Sequence, residues 1–250
     1  MNTAEAHNAN EFADSQTTLE MLRVHDLHAF YGESHILHGV NFDVKRGELV
    51  TLLGRNGAGR STTLKSIMNM VGRRTGSIVI NGNETLTMKA HHIPRLGIGY
   101  CPEERGIFAS LDVHENLLLP PTVRSGGMSL DEIYGMFPNL YERRKSQGTR
   151  LSGGEQQMLA MARILRTGAR LLLLDEITEG LAPVIVQKLG EVLMQLKERG
   201  MTIVLVEQNF RFAAPLADRH FVMDHGQIVE EISAEQLPSR RDHLNTMLGV

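Results

Sequence analysis

A glycine-rich octapeptide, Gly54 to Ser61, constrains the fold of this chain more than any other segment. It reads GRNGAGRS and matches the G-x-x-x-x-G-K-[S/T] spacing of a phosphate-binding loop, except that Arg60 replaces the usual lysine. The apolar run Leu49 to Leu53 precedes it, and apolar residues at helical spacing follow it as far as a stop at Gly72. We therefore predict a strand, a loop whose backbone N–H groups surround phosphate oxygens, and a helix that adds its positive end. A glycine-rich turn without a ligand is the alternative, and these flanks disfavour it.

A second apolar run, Leu171 to Leu174, is followed at once by Asp175 and Glu176. Such a run is typical of a strand buried on both faces of a parallel sheet, and α/β proteins bind ligands at the carboxyl ends of these strands. Alone, the two carboxylates would fit a solvated acidic helix cap better. Beside a phosphate loop, Asp175 and the Ser61 hydroxyl are predicted to hold Mg²⁺, and Glu176 to act as general base toward the attacking water.

The sequence LSGGEQQ, from Leu151 to Gln157, lies between the phosphate loop and the Asp-Glu strand. Ser152, Gly153 and Gly154 precede the apolar stripe of a predicted helix, so they offer a second helix N-terminus to an anion. An ordinary helix cap is the alternative, because Ser-Gly-Gly alone is weak support for anion binding.

These three segments, in this order, resemble the ATP-binding cassette (ABC) family, and the resemblance covers residues 21 to 250. It implies an α/β fold with a P-loop NTPase core and a mostly parallel sheet, an N-terminal antiparallel β subdomain and a helical insert at about residues 104 to 165. Alternating strand and helix patterns in the core, and turn signals near both ends, predict the same structures. Residues 1 to 20 contain no Lys or Arg and no apolar run, and are expected to be a disordered tail and not a signal peptide.

The resemblance also assigns residues to ATP. The signature segment Ser152, Gly153, Gly154 and Glu155 would bind the γ-phosphate of the nucleotide held by a second subunit, in a head-to-tail dimer with two ATP at its interface. The residues assigned to the chain's own nucleotide are Tyr31, Gly54, Arg55, Asn56, Gly57, Ala58, Gly59, Arg60, Ser61 and Thr62.

Three of the assigned residues have open alternatives. Tyr31 would stack on adenine, or it is a strand aromatic packed in the core. Glu103 stands where most cassettes have a glutamine that reaches Mg²⁺ and the membrane partner, or it is a charge on a surface loop. Gln208 stands where most have a catalytic histidine that contacts γ-phosphate, or it is a polar residue just past a strand. An amide can donate the same hydrogen bond but cannot titrate near neutrality.

Three further stretches, PE-x-R at Pro102, EGLAP at Glu179 and VEQN at Val206, resemble the branched-chain amino-acid uptake cassettes and their urea or amide relatives. The resemblance implies the ATP-hydrolysing subunit of an importer, in a homodimer or heterodimer with a second ABC ATPase subunit. Its other partners would be two transmembrane permease subunits and an extracytoplasmic solute-binding protein. The chain would attach through the permeases to the cytoplasmic face of the cell membrane.

Composition agrees with this reading. The net charge of −3 argues against nucleic acid as a partner, and no apolar stretch approaches the roughly 20 residues needed to span a bilayer. The single cysteine, Cys101, is expected to be a small buried residue at a strand end, and it excludes an intrachain disulfide. His91, His92, His220 and His225 lack metal-ligand spacing and are expected at the surface.

Two functions from other classes compete with the transport reading. A nucleotide-binding regulatory or structural subunit with little hydrolysis is motivated by Arg60. A soluble cassette protein of translation or DNA repair would carry tandem cassettes, or long coiled-coil or zinc insertions, and this sequence has none of them.

Replacing Arg60 by lysine is expected to accelerate hydrolysis. The arginine keeps the charge, but its guanidinium is bulkier and planar, so the γ-phosphate or the head group must shift. A displacement of about 1 Å can cost about a hundredfold in rate. Lys65, over one helical turn further on, is not expected to substitute. Arg60→Lys should raise kcat by at least about tenfold, roughly 1.4 kcal/mol of barrier, with a smaller change in KM. Steady-state ATPase kinetics with the membrane partners measure this, and an unchanged kcat would mean that the loop is adapted to arginine.

Overall fold

The computed structural model describes residues 20–249. The expected tail at residues 1 to 20 lies outside them, apart from Glu20, which is the first residue of strand β1. An antiparallel sheet of order β2-β1-β4-β5 occupies the N-terminal part of the chain. Its strands are β1 (Glu20–Tyr31), β2 (Ser34–Lys45), β4 (Arg73–Ile80) and β5 (Asn83–Glu84). The antiparallel N-terminal strands predicted from the sequence are therefore confirmed.

A second, six-stranded sheet has the order β10-β9-β3-β8-β7-β6. All its neighbouring strands are parallel except β9 and β10, which form an antiparallel hairpin. The strands are β3 (Leu49–Leu53), β6 (Ile98–Cys101), β7 (Leu171–Asp175), β8 (Thr202–Val206), β9 (Arg219–Asp224) and β10 (Gln227–Ser233). The mostly parallel α/β core is thus confirmed.

The six-stranded sheet is the middle layer of the molecule. Along β7, Leu172 and Leu174 pack into one hydrophobic cluster with the helices, whereas Leu171 and Leu173 pack into another with the antiparallel sheet. Because successive side chains of a strand point to opposite faces, a strand between two apolar layers must be apolar at every position. This arrangement explains the uninterrupted apolar run that precedes Asp175.

Helices cover the sheet and connect its strands. Their bounds are α1 (Arg60–Ile67), α2 (Val113–Leu118), α3 (Leu130–Met136), α4 (Pro138–Glu142), α5 (Gly153–Arg166), α6 (Pro183–Glu198), α7 (Phe210–Ala213) and α8 (Leu237–Leu248), with 3₁₀ turns at Ala90–Leu96 and Gly148–Arg150. Along the chain, helices α2 to α5 follow β6 and precede β7. Across residues 20–249, no helix has the length and apolar character needed to cross a bilayer.

Helix α1 is shorter than its apolar pattern predicts. It ends at Ile67, before Val71 and the predicted stop at Gly72. Asn69 adopts a left-handed φ of 54°, a conformation that asparagine tolerates better than most residues, and the Met70 N–H donates to the Lys65 carbonyl at 2.8 Å. These bonds close the helix early and let β4 begin at Arg73.

The expectation of a surface position was wrong for His220. This histidine lies in β9 beside β3, is fully buried, and its Nδ1 lies 2.8 Å from the Thr51 hydroxyl oxygen. Burial lowers the pKa of His220 to about 4. His91, His92 and His225 are exposed as predicted, and Cys101 is buried at the end of β6, as predicted.

His220 is expected to make the fold acid-sensitive. Its pKa is lower in the folded chain than in the unfolded chain, so the unfolded state binds more protons and stability falls as pH drops from about 6.5 toward 4. Between pH 7.5 and 5 this linkage amounts to about 2 kcal/mol of unfolding free energy. Urea unfolding at both pH values should show a smaller pH dependence for His220→Gln than for the native chain. The exposed residue His225 supplies the control, because His225→Gln should leave the pH dependence unchanged.

Candidate functional site

The loop from Gly54 to Ser61 lies between β3 and α1, as its flanks predict. A Cβ atom on Gly54 would lie 2.5 Å from the Met223 carbonyl oxygen, and one on Gly59 would lie 2.7 Å from Leu37 Cδ2. Gly59 also has a φ of 102°, which L side chains rarely adopt. Glycine is therefore required at both positions for the loop to keep this path.

The Arg60 guanidinium points into the protein at the start of α1 and is 4% exposed. One Nη donates to the Glu207 carbonyl oxygen at 2.9 Å, and the other forms a 2.7 Å ion pair with Glu176 Oε1 and contacts Asn56 Oδ1 at 3.4 Å. Desolvation lowers the pKa of Arg60, while the neighbouring Glu176 carboxylate opposes that shift. The cation of the phosphate loop thus already holds an acidic partner.

Asp175 lies at the end of β7 and is 1% exposed. Its Oδ1 accepts from the Ser61 hydroxyl at 2.8 Å, and its Oδ2 accepts from the Tyr100 hydroxyl at 3.0 Å. Burial raises the pKa of Asp175, and these two hydrogen bonds act against that rise. The structure therefore brings Ser61 and Asp175 together, the two residues from which the sequence predicts a magnesium site.

Glu176 follows Asp175 with a left-handed φ of 46°. Its Oε2 accepts from Gln208 Nε2 at 2.8 Å, so the predicted general base and the predicted catalytic amide are in contact. Behind them, the buried Glu207 carboxylate accepts from the Thr178 backbone N–H at 3.1 Å and from the Thr178 hydroxyl at 2.9 Å. Burial raises the pKa of Glu207 to about 7. These bonds connect the segment after β7 to the segment after β8.

An open cleft lies beside these groups and is lined by most of the phosphate loop. Its lining residues are Ile36, Asn56, Gly57, Ala58, Gly59, Arg60, Ser61, Thr62, Glu103, Glu176, Glu179 and Gln208. Glu103 is exposed, but partial desolvation of its carboxyl group and, next, the nearby Glu179 carboxylate raise its pKa. The positive charge of Lys65 acts on both Asp175 and Glu103 and favours their ionised forms. Lys65 is therefore near enough for its charge to act on this acidic side of the site.

The structure shows the surroundings of two further residues assigned to the nucleotide, Arg55 and Tyr31. Arg55 donates to the carbonyl oxygens of Met247 and Thr246 in α8, at 2.9 and 3.2 Å. Tyr31, at the end of β1, is 43% exposed, so the alternative of an aromatic packed in the core is wrong. Neither residue is among the described residues that line the cleft.

The signature segment begins α5 and is also not among the described cleft-lining residues. Ser152 caps the helix in a capping box, where its hydroxyl accepts from the Glu155 N–H at 3.3 Å and Glu155 Oε2 accepts from the Ser152 N–H at 2.8 Å. A Cβ atom on Gly154 would lie 2.8 Å from Ile185 Cγ2 in the first turn of α6, so the two helix starts are closely packed. The glycine next to it, Gly153, lies beside Arg105 and Leu181.

Sequence reasoning missed the site roles of Tyr100, Thr178, Glu179 and Glu207. Tyr100 lies near the carboxyl end of β6, next to β7, and Glu207 follows β8, on the other side of β7. Polar residues at the ends of neighbouring parallel strands gather at one edge of the sheet, and that rule could have pointed to both of them.

Comparison with known proteins agrees with this geometry. The family model described as ABC transporter matches residues 37–179. The high-affinity branched-chain amino acid transport ATP-binding protein BraG of Pseudomonas aeruginosa is 41% identical over 212 residues, covering 84% of this chain and 91% of that protein. The probable branched-chain amino acid transport ATP-binding protein LivF of Archaeoglobus fulgidus is 35% identical, covering 92% and 99%.

A solved structure supports the same assignment. The dimeric ATP-binding cassette MJ0796, in a post-hydrolysis state bound to ADP and Pi, superposes with a TM-score of 0.76 at 26% identity, covering 86% of this chain and 99% of that one. The family match, the two sequence relatives and this likeness agree with the α/β fold and with the phosphate loop at the end of β3. This chain is therefore a member of the ABC transporter family, one of its ATP-binding and ATP-hydrolysing subunits.

Proposed function

We propose that this chain hydrolyses ATP to power the import of branched-chain amino acids or related small amides. The observation that carries the catalytic part is that the phosphate loop, Glu176 and Gln208 line one cleft, with Asp175 bonded to the loop residue Ser61 behind it. The solute class is supported by the likeness to the two branched-chain amino acid transport proteins and by the PE-x-R, EGLAP and VEQN stretches.

In this proposal each cleft residue has one task. Backbone N–H groups of the phosphate loop hold the phosphates, and Glu176 accepts the proton of the water that attacks the γ-phosphorus. Gln208 orients the Glu176 carboxylate through the 2.8 Å hydrogen bond from its amide. Because the amide is neutral throughout, it positions the base without exchanging a proton. Tyr31, exposed at the end of β1, stacks on adenine.

A magnesium ion fits the oxygen groups of this site. The Ser61 hydroxyl and an Asp175 carboxylate oxygen already lie 2.8 Å apart, and hydroxyl, carboxylate and phosphate oxygens are the ligands that Mg²⁺ prefers. The carboxylate of Glu103 lies along the same cleft as a further oxygen donor. A bound ion would supply positive charge that neutralises the phosphate oxygens. Ser61 and Asp175 are the residues that would hold the ion.

The signature segment is proposed to act on the nucleotide of a second subunit. Among the described residues, the lining of the cleft does not include the signature segment of the same chain, Ser152, Gly153, Gly154 and Glu155. This segment forms the start of a 14-residue helix, and a helix N-terminus attracts anions. A head-to-tail dimer would bring this helix start to the partner's ATP. The same chain in two copies, or a second ABC ATPase subunit, satisfies this requirement.

The remaining partners follow from the transport function. Two transmembrane permease subunits would hold the dimer at the cytoplasmic face of the cell membrane, and an extracytoplasmic binding protein would select the solute. Helices α2 to α5, within a helical subdomain at about residues 104 to 165, would contact the permeases together with the loop from Glu103 to Val113. Phe108, in that loop, is 45% exposed, as expected for an apolar contact residue.

Solute uptake tests the proposed function directly. The chain is purified with its membrane subunits and reconstituted in proteoliposomes with the binding protein that co-purifies with them. ATP-dependent uptake of labelled leucine, isoleucine or valine is expected, with labelled urea and acetamide as parallel solutes. Glu176→Gln should bind ATP without supporting uptake. Co-purification of the chain with the membrane subunits of an exporter, together with no uptake of any of these solutes, would contradict the proposal.

Ser152→Arg should abolish hydrolysis and leave ATP binding to the monomer nearly intact. The arginine would occupy the space of the partner's γ-phosphate and would not reach the chain's own phosphate loop. Ser129→Arg is the matched control, because Ser129 caps α3 in the same kind of capping box and its replacement removes an equivalent cap. ATPase assays and calorimetric titration of ATP measure the two effects. Equal loss of ATP binding in monomeric Ser152→Arg would contradict the assignment to the partner's site.

A further inference from the structure

The ion pair between Arg60 and Glu176 joins two groups that the proposed reaction needs apart. Arg60 belongs to the loop that must hold phosphate, and Glu176 must direct a carboxylate oxygen at water. In the structure their side chains are 2.7 Å apart and only 4% and 10% exposed. The second oxygen of Glu176 accepts from Gln208 at 2.8 Å, so a cation and an amide occupy both oxygens of the predicted base.

The surroundings of Arg60 require an anionic partner. A buried cation without a counter-charge is strongly unfavourable. The carboxylates of Glu176, Asp175 and Glu207 all act on Arg60, but Glu176 has the largest effect and is the one in direct contact, so we expect Arg60 to leave it only for another anion. The other hydrogen-bond acceptors of its guanidinium are uncharged: the Glu207 carbonyl oxygen at 2.9 Å and the Asn56 amide oxygen at 3.4 Å. The anion that enters this cleft during function is the phosphate chain of ATP.

We propose that Arg60 is a positioning residue that exchanges anions: it holds Glu176 in the nucleotide-free chain and releases it when an ATP phosphate takes the place of the carboxylate. The inference rests on the proposed function, in which the loop binds phosphate and Glu176 is the base. The base is thereby restrained until the substrate is in place, and it becomes available through the same event that neutralises Arg60.

Arginine suits this exchange better than lysine. Its planar guanidinium offers several N–H donors in fixed directions, so one Nη keeps the Glu207 carbonyl while the other changes its anionic partner. A lysine ammonium is a single point charge on a flexible stem and must leave one acceptor to reach another. The exchange therefore gives Arg60 a role in this chain beyond the steric effect expected from its size.

A double-mutant cycle on nucleotide binding tests the exchange. The full chain and the variants Glu176→Gln, Arg60→Gln and the double variant are titrated with the non-hydrolysable analogue AMP-PNP and Mg²⁺. If phosphate must displace Glu176 from Arg60, Glu176→Gln should lower the analogue Kd by at least about tenfold when Arg60 is present, and by less than about threefold when it is glutamine. Simple repulsion between Glu176 and phosphate acts in both backgrounds and cancels in the cycle.

Glu179 supplies the matched control, because it lines the same cleft and its carboxylate faces Glu103. Glu179→Gln should change the Kd equally in the two backgrounds. Arg60→Met replaces Arg60→Gln if the glutamine variant unfolds, and thermal unfolding checks each protein. An equal effect of Glu176→Gln with and without Arg60 would overturn the exchange while leaving the proposed function intact. Failure of the native chain to bind the analogue would refute both.

Discussion

The parallel pairing of β3, β8 and β7 is the constraint on which the site depends. All three strands are buried at every position and run in one direction, so their carboxyl ends lie side by side. From those ends come the phosphate loop, the Asp175–Glu176 pair, and Glu207 with Gln208. Because these strands are paired in register, the parts of the site lie within hydrogen-bonding distance of one another.

Each buried carboxylate at this edge of the sheet has hydrogen-bond partners. Asp175 is held by two hydroxyls, Glu207 by Thr178, and Glu176 by Arg60 and Gln208. Burying these carboxylates without partners would be costly, so each hydrogen bond maintains the site as well as orienting it. A nucleotide that enters must exchange some of these bonds for its own, which makes the site responsive to the ligand and not simply a rigid receptor.

The sequence was most informative where local pattern and burial coincide. The apolar runs of β3 and β7 and the loop glycines were readable because each is set by its own neighbours. The end of α1 was not, because it depends on the left-handed conformation of Asn69. His220 was mistaken for a surface residue because its burial results from the pairing of β9 with β3, far away along the chain.

The partners of Arg60 were also beyond the reach of sequence. The motif predicted a cation at the phosphates, whereas the partner that the structure gives it lies 116 residues further on, at the end of a different strand. Motifs identify which groups are present, and only the tertiary structure shows which of them neutralise one another.

The bonds from Arg55 to Met247 and Thr246 have a practical consequence. They tie the second residue of the phosphate loop to the last turn of α8, so the distal end of the described chain is part of the support of the nucleotide site. An affinity tag, a fluorescent fusion or a proteolytic cut placed near α8 would then act on the phosphate loop itself. For this cassette, an affinity tag or a fluorescent fusion is better placed on the N-terminal side of β1.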